Sequence, residues 1–199
     1  MEIVLVRHAL PVRIDATPDG SPADPGLAAV GLEQAARVHA ALAGDAIDAL
    51  YSSPSRRAVE TATPMAAALG MDVTLEPGIA EFDVDDPSYV PVEELRASRD
   101  PRWLALLAGD LYSVGVDPVA FRARVVEAVE RIAAAHPGGR AVLFTHSGTV
   151  NAVAGHVLGQ SSAIWFAPSY CSISRIAISR TGRSGVVSLN ETGHVRDLL

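Results

Sequence analysis

The sequence predicts an α/β fold, a three-layer sandwich in which a mainly parallel central sheet is flanked by helices and carries a lid-like insertion. Short, almost uninterrupted apolar runs such as Ile3-Val4-Leu5-Val6 and Ala141-Val142-Leu143-Phe144 have the length and β-branched content of strands buried on both faces. They alternate with longer stretches of helical periodicity, and strands joined by helices pair in parallel through right-handed crossovers. With 199 residues, 49% hydrophobic but only 5% aromatic, the chain has material for one substantial core built from Ala, Val and Leu. A single domain spanning 1–199 is therefore expected.

The elements follow in order. The first strand, 3–6, stops at Arg7-His8 and gives way to a loop with Pro11 and a Pro/Asp/Gly-rich stretch at 15–26. A helix is predicted over 27–43 and a strand over 47–51. Ser52-Ser53-Pro54 then signals a turn and a helix start, because hydroxyls cap free amides and proline suits the first helical position; this second helix runs to Leu69. A strand at 72–75 leads through the turn Pro77-Gly78 to Ile79-Ala80-Glu81. Segment 82–118, with helical pattern over 90–107, reads as an insertion over a pocket, the kind of segment that selects substrates. Helix 118–135, strand 140–144 and a further helix follow, and strands at 173–178 and 185–189 close the chain around Thr181-Gly182-Arg183-Ser184-Gly185. There is no internal repeat or low-complexity linker.

Charge and cysteine content exclude several classes. A net charge of -7 without a Lys/Arg-rich stripe argues against nucleic-acid or anionic-membrane binding. Cys171 is the only cysteine, so there is neither an intramolecular disulfide nor a cysteine-cluster zinc site. No run of eighteen apolar residues occurs, and the chain opens in a strand without a signal-peptide pattern. A cytoplasmic protein is expected; oligomeric state is open, with a homodimer as one option.

The chemistry-bearing residues sit at element ends. Arg7 and His8 end the first strand, Arg57 falls in the first turn of a helix whose amides favour an anion, Glu81 follows a turn, and His146 ends a strand before Ser147-Gly148. Glycine at 148 permits close backbone approach to a ligand. Taken singly, each has a plainer reading: the arginines as surface ion-pair partners, Glu81 as one more member of an acidic loop, His8 as a hydrogen-bonded strand-end residue. His39, His136 and His156 read as solvated, helix-terminal and helix-packing residues, and Trp103 and Trp165-Phe166 as core or lid packing.

In their order and spacing these segments resemble the histidine phosphatase superfamily, the phosphoglycerate-mutase-like enzymes. Arg7-His8 matches its N-terminal signature, Leu27 to Ala35 its first helix, Ser52 to Ala62 the segment of its second arginine with Arg57 in register, Glu81 its acid, His146 its second histidine, and Leu189-Asn190 with His194 its closing segment. Two departures stand out. The family's residues after Arg-His, including an Asn that helps to hold phosphate, are replaced by Ala9-Leu10-Pro11 and by Arg13-Ile14; Arg13 is either a substitute donor or a solvated loop residue. The glycine-rich stretch after the acid is replaced by Phe82 to Pro87.

The resemblance implies a metal-independent phosphatase acting on a small phosphorylated metabolite. In that reading His8 becomes phosphohistidine, Arg7, Arg57 and an imidazolium at His146 clamp the phosphoryl oxygens, and Glu81 protonates the leaving group. Ser147 and Arg13 join the substrate contacts, and no metal or cofactor is called for. Three alternatives are carried. A phosphoglycerate-type mutase normally has larger insertions between acid and second histidine. A protein phosphohistidine phosphatase normally has less lid. A non-catalytic phospho-ligand-binding protein has no need of both His8 and Glu81.

Overall fold

The computed structural model describes residues 1–108, 111–112 and 115–199, with only the backbone of Leu107. Six strands form one sheet: β1 (Glu2–Arg7), β2 (Ala49–Ser52), β3 (Val73–Leu75), β4 (Arg140–Thr145), β5 (Ile173–Ile178) and β6 (Ser184–Glu191). Their order is β3-β2-β4-β1-β5-β6. The first four are parallel, whereas β5 runs antiparallel to β1 and β6 antiparallel to β5. The sheet is thus mixed with a parallel heart, as the alternation of strands and helices requires.

The centre of that sheet explains the continuous apolar runs. On β1, Ile3 and Leu5 face helices α5 (Pro118–Ala135) and α6 (Ser147–Leu158), while Val4 and Val6 face α1 (Ala29–Ala41) and α2 (Arg56–Leu69). A strand covered on both sides must be apolar at every position. Each side chain so buried contributes about 1.5–3 kcal/mol of hydrophobic stabilisation. The α5 face that meets the sheet carries Phe121, Val125, Ala128, Val129 and Ile132, a stripe at helical spacing. Asp117 caps that helix by accepting from the amides of Val119 and Ala120 at 2.8 and 3.2 Å, with Pro118 at the first turn. Gly70 ends α2 in the left-handed region at φ 64°, a conformation that costs glycine nothing.

The helical pattern over 90–107 resolves into two short helices rather than one, α3 (Val92–Ser98) and α4 (Pro101–Ala108). Pro101 disfavours helical geometry at Asp100, and Arg99 takes a positive φ of 54° to turn the chain between them. Positions 109–110 and 113–114 of the insertion lie outside the described residues. The insertion is stitched to the loop after β1: Ile14 and Tyr89 exchange backbone hydrogen bonds at 2.9 and 2.7 Å, and the amides of Thr17 and Ala23 donate to the carbonyls of Pro87 and Asp86. No helix among the described residues is long and apolar enough to cross a membrane.

Candidate active site

Strand pairing brings the distant segments together. Because β1 and β4 are parallel neighbours with Arg7 opposite Thr145, the residues that follow each strand, His8 and His146, emerge side by side; the His8 amide donates to the Thr145 carbonyl at 2.7 Å and the two rings lie 5.1 Å apart. β2 flanks β4 on its other side. The Ser53 amide donates to the Phe144 carbonyl at 2.9 Å, which sets the start of α2, and hence Arg57, beside the histidines. Glu81 arrives from the turn Pro77–Ile79, which is anchored at three carbonyls by Arg124 (to Pro77, Gly78 and Ala80 at 3.0–3.1 Å) and at Ile79 by the hydroxyls of Thr145 and Thr149.

These groups are charged or polar and almost fully shielded, with Arg7, His8, Arg57 and Glu81 exposed by 3, 3, 2 and 7%. Burying two guanidiniums is costly unless partners compensate. Each has a carboxylate from the insertion and an aromatic face. Arg7 Nη1 donates to the Pro168 carbonyl at 2.6 Å and to Glu93 at 3.2 Å, and its guanidinium lies 3.7 Å over the Tyr170 ring; Arg57 Nη2 donates to Asp83 at 2.8 Å and stands 4.6 Å over Tyr89. Yet Arg7 Nε, Arg57 Nε and His146 Nδ1 are buried without a hydrogen-bond partner among the described residues. Buried guanidinium N–H groups left unpaired suit an oxyanion ligand.

Both histidines are held neutral. Burial, and then the positive charge of Arg57, push His8 and His146 well below the ordinary imidazole range. The imidazolium expected at His146 is therefore a neutral ring in the free protein. Ser53 Oγ lies 2.8 Å from His146 Nε2, while His146 Nδ1 has no hydrogen-bond partner among the described residues. On His8, Nδ1 sits 2.8 Å from the Ala9 carbonyl, which takes the ring proton and leaves the Nε2 lone pair free.

Glu81 is pushed up to about 7 by burial and then by the Asp83 carboxylate, against the amides of Gly148 (2.7 Å) and Phe82 (3.2 Å) and the charge of Arg57. A side chain at 148 would collide with this carboxylate, so glycine there reflects close approach to Glu81 itself. A carboxyl near 7 can both give and take a proton at neutral pH. Turnover that needs a proton from Glu81 is expected to fall as pH rises through about 7. In Asp83→Asn the like charge is lost and Arg57 is released from its partner, and both changes favour ionised Glu81. The alkaline limb of an alkyl phosphate's pH–rate profile is expected to move to lower pH, and an unmoved or raised limb would contradict this coupling.

A cavity of about 700 Å³ opens here, lined among others by Arg7, His8, Arg57, Glu81, Ser147 and Gly148, whereas His146 is fully buried and is not one of its lining residues. Arg13 is not brought there. It is exposed and paired with Asp15 and Glu94 at 2.6 and 2.8 Å, so it ties the loop after β1 to α3 rather than replacing a phosphate donor. Trp103 and Trp165, expected to be packing residues, line the cavity, as do Tyr89 and the acidic Asp83, Asp85 and Asp86. Sequence reading missed Tyr89, Tyr170 and Glu93 altogether. Nothing local marks them, since their partners Arg7 and Arg57 are distant in the chain. His136 is a structural residue whose Nε2 meets the Tyr51 hydroxyl at 2.9 Å.

The family model of the histidine phosphatase superfamily (branch 1) matches residues 3–192. No curated protein matches the sequence. Among solved structures, the chain is similar to a phosphoserine phosphatase mutant from Entamoeba histolytica in complex with phosphoserine (20% identity, 98% of each chain, TM-score 0.76). It is also similar to a mycobacterial glucosyl-3-phosphoglycerate phosphatase (21% identity, 96% of this chain and 98% of that one, TM-score 0.75) and to YhfR of Bacillus stearothermophilus (18%, 98% and 99%, TM-score 0.74). At these identities the structures speak for the shared fold, and the match across residues 3–192 speaks for the family: the chain belongs to branch 1 of the histidine phosphatase superfamily.

Proposed function

We propose that this enzyme hydrolyses a small phosphomonoester through a phosphohistidine at His8, without a metal ion. The observation that carries the reading is the neutral His8, its Nδ1 proton engaged by the Ala9 carbonyl, sharing one cavity with Arg7, Arg57 and Glu81. In the first step the Nε2 lone pair attacks phosphorus, the P–O bond to the alcohol breaks, and the Glu81 proton passes to the departing oxygen. In the second, water attacks phosphorus, its proton passes to the Glu81 carboxylate, and the P–N bond breaks to release phosphate and regenerate both groups. Arg7 and Arg57 hold the equatorial oxygens, whose charge must be stabilised throughout, with the His146 ring 5.1 Å from that of His8. Ser147, at the start of α6, lies on the same wall and serves as a further substrate contact.

The relatives' names point the same way, since two of them are phosphatases of small phosphorylated compounds. The test is phosphate release from p-nitrophenyl phosphate and from alkyl phosphates with a chelator present, beside an assay for interconversion of 3- and 2-phosphoglycerate. Phosphate release undiminished by the chelator is expected. Interconversion without release would overturn hydrolysis, and loss of activity that added metal restores would overturn the metal-free mechanism.

A further inference from the structure

The cavity's lining residues are of two unlike kinds. Two guanidiniums and His8 stand among them, and so do the apolar and aromatic side chains of Phe82, Tyr89, Leu95, Trp103, Leu106 and Trp165. Phe82 packs edge-on against Phe121 with ring centroids 5.6 Å apart, so it is fixed from behind. Trp165 is held from two sides by Asn151: its backbone amide donates to the Asn151 side-chain oxygen at 3.0 Å and its indole N–H to the Asn151 carbonyl at 3.2 Å. An apolar surface buttressed in this way is built for contact.

The charge inventory of the walls points in the same direction. Apart from Arg7 and Arg57, Arg102 is the one cationic side chain among the described lining residues, and it is engaged in a two-pronged pair with Asp100 at 3.0 Å through Nε and Nη2. Asp83, Asp85 and Asp86 line the same space. A second anionic group on the substrate, such as the carboxylate of phosphoserine or phosphoglycerate, would therefore meet three carboxylates and aromatic faces, and among the described lining residues its one cationic partner beyond the phosphate clamp, Arg102, is already shared with Asp100. Burying that charge unpaired is strongly unfavourable. An uncharged hydrocarbon group would displace water from the walls and gain their contact instead.

We propose that the leaving alcohol of the natural substrate is uncharged and predominantly apolar, an aromatic or extended alkyl alcohol bearing a single phosphate. A cavity of about 700 Å³ is of a size that encloses a whole small ligand. Trp103 and Trp165 become specificity-determining residues, which contact the leaving alcohol and select it. The inference rests on the phosphatase reading above, and goes beyond it in naming the substrate class.

The experiment measures kcat/KM for ethyl, butyl and hexyl phosphate, whose alcohols differ little in acidity, together with 2-naphthyl phosphate, phosphoserine and 3-phosphoglycerate. The expected result is a rise of up to about fourfold per added methylene, the ratio that ~0.8 kcal/mol for burying a CH₂ corresponds to. Phosphoserine and 3-phosphoglycerate should fall below butyl phosphate. Trp103→Ala should flatten the chain-length dependence, and Trp103→Phe should restore most of it. A flat series, or a preference for the two carboxylate-bearing substrates, overturns the inference while phosphate release continues to support the phosphatase. No release from any ester overturns the phosphatase reading itself. Should Trp103→Ala fail to fold, the wild-type series decides alone.

Discussion

His8→Ala is expected to form no phosphoenzyme and to lose turnover to the background level. Brief reaction of the wild-type protein with labelled phosphomonoester, followed by a quench that avoids acid, should trap an acid-labile covalent phosphate that the variant lacks. The expectation rests on the Ala9 carbonyl engaging Nδ1, which presents Nε2 as the free nitrogen, and on burial and Arg57 keeping the ring unprotonated. A protonated imidazole has no lone pair to give, so the depressed pKa maintains the nucleophile across the whole neutral range. His146 offers an internal control. It is also held below the ordinary imidazole range, but its Nε2 is occupied by Ser53 and it does not line the cavity, so His146→Ala should still label. Equal labelling of the His8 variant would remove His8 from this role.

The arginines give the second large effect. Arg57→Ala is expected to lower kcat/KM by roughly a hundred- to a thousandfold, about 3–4 kcal/mol, the usual loss when a preorganised donor to a developing oxyanion is removed. Arg56→Ala should change little. The two neighbours differ in surroundings: Arg57 is buried with its Nε unpartnered among the described residues, whereas Arg56 is largely exposed and joined to Glu60 at 2.6 Å in an i,i+4 pair of the kind worth about 0.3–0.5 kcal/mol. Arg57→Lys separates charge from shape, because lysine keeps the charge and loses the planar fork, and an intermediate loss is expected. Steady-state kinetics on p-nitrophenyl phosphate ranks the three variants. A larger loss at Arg56 would mean that the register of the α2 N-terminus is misplaced by one.

Much of this site was legible because α/β folds put chemistry at strand ends. The run Ile3 to Val6 stops at Arg7-His8, the run Ala141 to Phe144 stops two residues before His146, and parallel pairing of β1 with β4 makes those two ends neighbours. Ser52-Ser53-Pro54 marked the start of α2 and so the turn that carries Arg57. Arg13 was not legible. A cation near the signature reads equally as a ligand donor or a surface residue, and only the exchange of hydrogen bonds between Ile14 and Tyr89 fixes it against Glu94, away from the cavity. The helix pattern over 90–107 also hid a break, since Arg99 and Asp100 are compatible with a helix until Pro101 is weighed against its neighbours.

The fold class and most of the succession of strands and helices could be read from local pattern, because strand burial, helix periodicity and turn chemistry are written within a few residues, whereas the choice of Arg7, His8, Arg57, Glu81 and His146 as candidate site residues rested on the resemblance of segments far apart in the chain. Packing of distant segments supplied the rest: Asp83 and Glu93 pair with the two arginines, burial and Arg57 push His146 well below the ordinary imidazole range, Glu81 is pushed up to about 7, and Trp103 and Trp165 line the cavity. Each depends on burial and on charges brought from distant positions, and in a low-dielectric interior those two quantities set protonation and pairing.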